Sequence, residues 1–473
     1  MIQGRPEPAR LLDRAEAALV RYCLERPGAV PRADEATLRH AFTLARLEAD
    51  RQGSPAEPEE YVGALLGAAL ALFGPKPGEE PANPEPELVA AAARRLWPLC
   101  LAARGPLSRR AGISPAALDR EARQRKLALA LGGGGGSGYV YLGCLELLEE
   151  WRLSPALIAG TSLGAILGLF RARRERHEGT EVDRVLGELT YRQMFRIAAA
   201  PSRYAVPAPL RLQLRSALGR HFGILPRLDE LALPLVVVAS GVRRGMLPRP
   251  LEAYERLFDP RGLFPPTPRA LRRKAVDLVG ALAELVTQPN RLAALHLGIE
   301  PGTLEMDCLD AVGFSSSLPG VIHYDVWRDD PAAHAFLERL LGPRELGWLA
   351  DGGLVENCPM RAAFLGLRAR LGCQNGFVLA LDGFSPKLST PAWLPLERLA
   401  HENVRRVMAF GSLYLQFDRT LSPLELVPRM AQARRAVALG RARLAPELPF
   451  LARMLEPLPP LEESRPEGAG PPA

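Results

Sequence analysis

The pattern of apolar positions divides the chain into two parts of different character. From Leu11 to Leu24, Glu35 to Leu47 and Val62 to Phe73, apolar residues recur at three- and four-residue spacing, which predicts short amphipathic helices. Another helix is expected over Glu87 to Ala102. A further one opens at Ser114-Pro115, with Ser114 as N-cap and Pro115 in the first turn. Between them, Gly74 to Pro86 holds five prolines in thirteen residues and reads as a hinge. Residues 1–125 are therefore expected to be a helical N-terminal region. From Lys126 onward the apolar residues instead fall in short unbroken runs: Lys126 to Leu131, Leu157 to Ala159, Leu233 to Ser240, Cys308 to Ser315 and Gly376 to Leu381. Such runs, separated by helical stretches, predict a three-layer α/β fold with a central, mostly parallel sheet covered on both faces. This domain is expected over 126–455. Insertions fall near 177–230, where prolines suggest loops and a lid, and near 245–303, where Arg272 to Leu297 reads as helical. Residues 456–473 are rich in Pro, Glu and Gly and predict a disordered tail.

Chemistry concentrates between Lys126 and Phe170. The first apolar run stops at five consecutive glycines, Gly132 to Gly136. Ordering so many glycines is entropically costly. The arrangement makes sense where backbone N–H groups must approach negative charge at a helix N-terminus. The second run ends in Gly160-Thr161-Ser162-Leu163-Gly164, the G-x-S-x-G pattern of a nucleophile elbow, with the apolar helix Ala165 to Phe170 behind it. Ser162 is the expected nucleophile. The amides of Gly134, Gly135 and Gly136 are expected to form the oxyanion hole that receives the tetrahedral intermediate.

These motifs resemble the patatin-like phospholipase family. The family's glycine triplet falls on Gly133, Gly134 and Gly135, followed by Gly138 and Gly143, and Ser137 stands where the family usually has arginine. Asp351-Gly352-Gly353, with Asn357 and Pro359 behind it, is similar to the segment carrying the family's catalytic aspartate. Ala311 to Pro319 is similar to the family's serine-rich stretch. The resemblance covers roughly residues 126 to 385. It implies a serine acyl hydrolase with Ser162 and Asp351 as a dyad, acting on phospholipids or other acyl-ester lipids, without cofactor or metal. A dyad leans on positioning and the oxyanion hole, because a free aspartate titrates near pH 4.

Two rival readings belong to the same chemistry. A Ser-His-Asp esterase of the α/β-hydrolase type needs a histidine after the acid, and only His401 lies beyond Asp351; His323 follows the serine-rich stretch closely. A catalytically weak lipid-binding scaffold is the other. Dinucleotide binding is disfavoured, since the strand after the glycine loop ends in Ser162 rather than in a ribose-binding acid. No His, Cys, Asp or Glu set has metal-ligand spacing.

Composition adds a setting. The chain of 473 residues is 47% apolar with net charge +7, which favours anionic partners. Met430 to Leu451 places Arg434, Arg435, Arg441 and Arg443 among apolar residues, the pattern of peripheral contact with an anionic membrane. No basic recognition helix stands out, so nucleic acid is not expected. Six scattered cysteines and the lack of a signal-peptide pattern suggest a cytoplasmic protein.

Overall fold

A computed structural model describes residues 4–51, 60–73, 84–197, 202–223, 226–246, 253, 289–326, 329–384, 394–423 and 425–469. The chain forms two compact units: Met1–Leu127 with Gly372–Phe377 and Pro446–Ala473, and Ala128–Leu371 with Val378–Ala445.

The first unit is helical: α1 (Glu7–Glu25), α2 (Arg32–Arg51), α3 (Glu60–Phe73), α4 (Pro86–Ala111) and α5 (Pro115–Arg123). Leu12, Leu19, Leu38, Phe42, Leu65 and Leu96 fill its core. The helix expected to end at Ala102 runs on to Ala111, through Pro98 and Pro106. Ser114 caps α5 by accepting the Ala117 N–H at 3.2 Å. Of the expected hinge, residues 74–83 lie outside the described residues. Buried among the helices, Glu16 accepts from Arg46 at 2.6 Å and from Arg39 and Arg125 at 3.3 Å. Arg46 also reaches Asn375 Oδ1 at 2.7 Å.

The expected boundary near 455 and the disordered tail are both corrected. Helix Leu448–Leu455 and the segment after it belong to the helical unit. Leu461 sits in that unit's core, and its carbonyl accepts from Trp97 Nε1 at 3.0 Å. Pro459 O meets His40 Nε2 at 2.8 Å, and the Ser464 carbonyl accepts from Thr37. The Pro/Glu/Gly composition hid two facts. Leu458 and Leu461 have apolar seats to fill, and prolines already fixed near extended geometry lose little entropy on docking.

The second unit is an α/β domain with a mixed sheet. Its elements run β1 (Lys126–Leu131), α6 (Val140–Glu150), β2 (Leu157–Thr161), α7 (Leu163–Ala172), α8 (Gly179–Glu188), α9 (Tyr191–Met194), β3 (Phe195–Ile197), β4 (Leu210–Leu212), α10 (Leu214–Phe222) and β5 (Leu235–Arg243). They continue as β6 (Leu292–Leu297), α11 (Cys308–Ser315), β7 (Ile322–His323), α12 (Pro331–Leu341), β8 (Leu346–Asp351), α13 (Gly353–Glu356), α14 (Met360–Leu371), β9 (Gly376–Asp382), α15 (Leu394–Val407), β10 (Leu413–Gln416) and α16 (Met430–Leu444). The large sheet has the order β10-β9-β1-β2-β5-β6, with β8 also on β5. β1, β2 and β5 are parallel neighbours, while β6 and β8 run antiparallel to β5. A small sheet, β3-β4-β7, stands apart.

Three sequence expectations change here. Cys308 to Ser315 is a helix, not a strand: Asp307 caps it by accepting the N–H groups of Leu309 and Asp310, and every residue of it is buried. A short apolar run buried all round carries no periodicity to tell the two apart. Leu292–Leu297 is a strand rather than the end of a helix, and 272–288 lie outside the described residues. The stretch expected as loops and lid, 177–230, supplies α8, α9, α10 and the strands β3 and β4.

Candidate active site

Leu131 of β1 lies opposite Gly160 of β2. The glycine loop after one strand and the turn after the other therefore open at the same carboxyl edge of the sheet, where open α/β sheets place ligands. Ser162 occupies the turn with φ 53° and ψ −126°. That conformation costs a non-glycine residue on the order of 1–3 kcal/mol, and the surroundings enforce it. A Cβ on Gly160 would strike Ala165, and one on Gly164 would strike the carbonyls of Leu131 and Gly132. From α11, Ser315 Oγ accepts the Ser162 N–H at 2.9 Å and donates to the Val238 carbonyl at 2.6 Å, tying the elbow to β5.

Register also brings Asp351 to this point. Thr161, the last residue of β2, lies opposite Val238, while β5 runs on to Arg243. β8 returns antiparallel along that extension and ends with Asp351 opposite Ala239, level with the elbow. The backbone of Asp351 is held at both ends: its N–H donates to Ser317 O and its carbonyl accepts from Ser240 Oγ, each at 2.7 Å. Its Oδ1 accepts the Gly353 N–H at 2.7 Å, and its carboxylate shares the cavity wall with Ser162. Burial pushes the carboxyl up to about 6, against the opposing pull of the Gly353 amide and the Ser162 hydroxyl. Gly352 follows directly, its N–H on Ser315 O at 3.2 Å.

The glycine loop divides by where its amides point. Those of Gly132 and Gly133 donate to Leu381 O and Asn357 O, both at 2.9 Å. Gly134 and Gly135 have φ of 135° and 55°, and neither amide has a partner among the described residues. Gly136, expected beside them, is taken out: its N–H donates to Pro423 O at 3.1 Å and it does not line the cavity. Ser137, at the family's arginine position, is buried and donates to Gly134 O at 2.7 Å, bracing the loop.

Ser162, Asp351, Gly134 and Gly135 share the wall of one cavity of about 300 Å³. Ile166, Phe170, Val185, Met194, Leu212 and Leu218 are among its apolar walls, and Asp351 is its only charged side chain among the described residues. Much of this wall comes from the 177–230 stretch, whose scattered prolines concealed its apolar faces. Asn357, known from sequence only as part of a motif, lines the cavity with its buried Nδ2 lacking a hydrogen-bond partner among the described residues. The anchoring role of Ser315 carried no signal that the sequence alone separates from its neighbours Ser316 and Ser317.

All seven histidines are among the described residues, and none lines this cavity. His323 is buried with Nδ1 on the Ala208 carbonyl at 2.7 Å. His401 borders an adjoining, water-sized pocket with Asp382 and Gln416, which shares Asn357, Phe384 and Ala400 with the cavity wall. His296 pairs with Glu356 at 3.1 Å. Among the described residues no cluster of three or more His, Cys, Asp or Glu side chains could hold a metal ion.

Fold and site geometry together put this unit among α/β domains built around a nucleophile elbow. Within that class it belongs to the patatin-like phospholipases: residues 129–364 match the family Patatin-like phospholipase. No curated protein matches the chain.

Proposed function

We propose that the protein is a lipid acyl hydrolase using Ser162 as nucleophile and Asp351 as its sole general base. Ser162 Oγ attacks the ester carbonyl carbon as its proton passes to the Asp351 carboxylate. The oxyanion so formed takes hydrogen bonds from the Gly134 and Gly135 amides, each donor of this kind contributing about 3 kcal/mol to the transition state. Collapse expels the alcohol, which takes the proton from Asp351. A water molecule, deprotonated by the same carboxylate, then releases the fatty acid and restores Ser162. The observation that carries this reading is Ser162, on its strained elbow, meeting the buried Asp351 carboxylate at the wall of an apolar cavity. The exclusion of every histidine from that cavity favours a dyad over a triad.

The test is covalent trapping. A fluorophosphonate probe is expected to label Ser162, and Ser162→Ala to lose both labelling and esterase turnover while keeping its thermal midpoint. Labelling at another residue, or undiminished turnover by the variant, would sink the proposal. Peripheral membrane contact fits the absence, among the described residues, of any helix long and apolar enough to cross a bilayer. The arginine helix α16 is a poor candidate for that contact. Arg441 is tied to Glu146 at 3.2 Å and Glu150 at 2.8 Å, and the stripe Ala433, Ala436, Gly440 and Leu444 is buried.

A further inference from the structure

The apolar wall of the cavity does not stop at its mouth. Register sets Phe195 of β3 opposite Leu212 of β4 and Ile197 opposite Leu210, so these four residues share one face of the ribbon. Phe195 and Leu212, together with Met194, line the cavity. The same face then runs out into solvent, where Ile197 is 67% exposed. Tyr191, 48% exposed, packs its ring 5.9 Å from that of Phe195. β3 is the edge strand of its sheet, and among the described residues nothing pairs beyond it there.

The ridge segments themselves carry charge of one sign. Arg192 and Arg196 are exposed and enter no ion pair among the described residues. Residues 189–197 and the facing stretch 208–220 contain no Asp or Glu. An exposed β-branched side chain and tyrosine with unpaired arginines at neighbouring positions match the boundary of an anionic bilayer, with apolar tips below the headgroups and the long guanidinium side chains reaching back to the phosphates.

We propose that α9 and the β3–β4 ribbon dock the protein on an anionic lipid surface, with Ile197 and Tyr191 entering the apolar boundary. An acyl chain leaving the bilayer then follows the continuous wall from Ile197 past Phe195 and Leu212 towards Ser162. The inference rests on the lipid acyl-hydrolase reading of the cavity.

Sedimentation of the full chain with phosphatidylcholine vesicles, with and without phosphatidylglycerol, tests it in the non-hydrolysing Ser162→Ala background. The parent is expected to partition onto the anionic vesicles and to be released by salt. Ile197→Glu, and separately Arg192→Glu with Arg196→Glu, should each weaken partition about tenfold or more, with thermal midpoints unchanged. Arg434→Glu with Arg435→Glu on α16 should partition like the parent. Equal partition of parent and Ile197→Glu overturns the docking surface, as does a loss confined to the α16 variant. A dimer dissolved by Ile197→Glu, without vesicle binding, assigns the face to a second copy of this chain and also overturns it. Failure of the probe to label Ser162 in the native protein refutes the hydrolase reading separately, whatever the vesicles show.

Discussion

At Asp351 one cause, burial, sets two measurable quantities against each other. The folded carboxyl titrates at about 6 against an ordinary value of 3.8. The folded state therefore holds this proton more tightly than the unfolded chain. The stabilising contribution of the group is full below about pH 4 and is lost as pH rises through about 6. Above that, the buried carboxylate costs on the order of 3 kcal/mol. The general base proposed here needs that ionised form, so kcat/KM is expected to fall about tenfold per pH unit below about 6. Asp351→Asn should abolish turnover yet raise the thermal midpoint at about pH 8. A variant that is both inactive and less stable there would show that the carboxylate is held by favourable contacts rather than strained by burial. Single His→Ala changes at 323 and 401 should leave turnover nearly intact, since neither ring reaches the cavity.

Among elements, α11 does for the elbow what no residue of the elbow does for itself. Ser315 is the last residue of that helix, and its hydroxyl satisfies the Ser162 N–H and the Val238 carbonyl at once. Ser315→Ala leaves both buried groups unpaired and should cost about 2 kcal/mol of stability. It should also lower kcat with little change in KM, because the proposed nucleophile is displaced rather than the substrate; steady-state kinetics on a soluble ester read the split. The sequence made the elbow legible, since an apolar run, two glycines and a serine are local features. It also made Asp351 legible, but through a resemblance rather than geometry. What puts Asp351 beside Ser162 is β8 turning back along the overhang of β5, a register relation between residues far apart in sequence. Gly136 was misplaced for a similar reason. Five glycines look alike in sequence, and only the Pro423 carbonyl, contributed from a distant segment, takes one of their amides away.

For the whole molecule, the helical unit is stabilised by an ionic interior as well as an apolar one. Burial alone would raise the Glu16 carboxyl, but Arg125, Arg46 and Arg39 together hold it below its ordinary value. Its stabilising contribution is thus present above about pH 4.5 and is lost as pH falls further. Glu16→Ala leaves three guanidinium groups facing an empty site and should cost about 3 kcal/mol or more; thermal melts near neutral pH measure it. Composition could not reveal this network, because arginine abounds along the chain and only folding brings these few to one carboxylate. Nor could composition reveal that residues 446–469, read as the end of one domain and a loose tail, complete another.

That last arrangement sets an order in time. Leu461 and the Arg453 and Met454 carbonyls that receive Arg39 are translated only after the entire α/β unit. Until they emerge, the nascent α1–α5 bundle carries an open apolar seat and a guanidinium short of acceptors. A chain halted before Arg453 displays that groove to proteases and chaperones, whereas one translated past Leu461 has closed it. Residues 448–461 thus serve as a seal on the helical unit that a chain gains only after its α/β unit has been made.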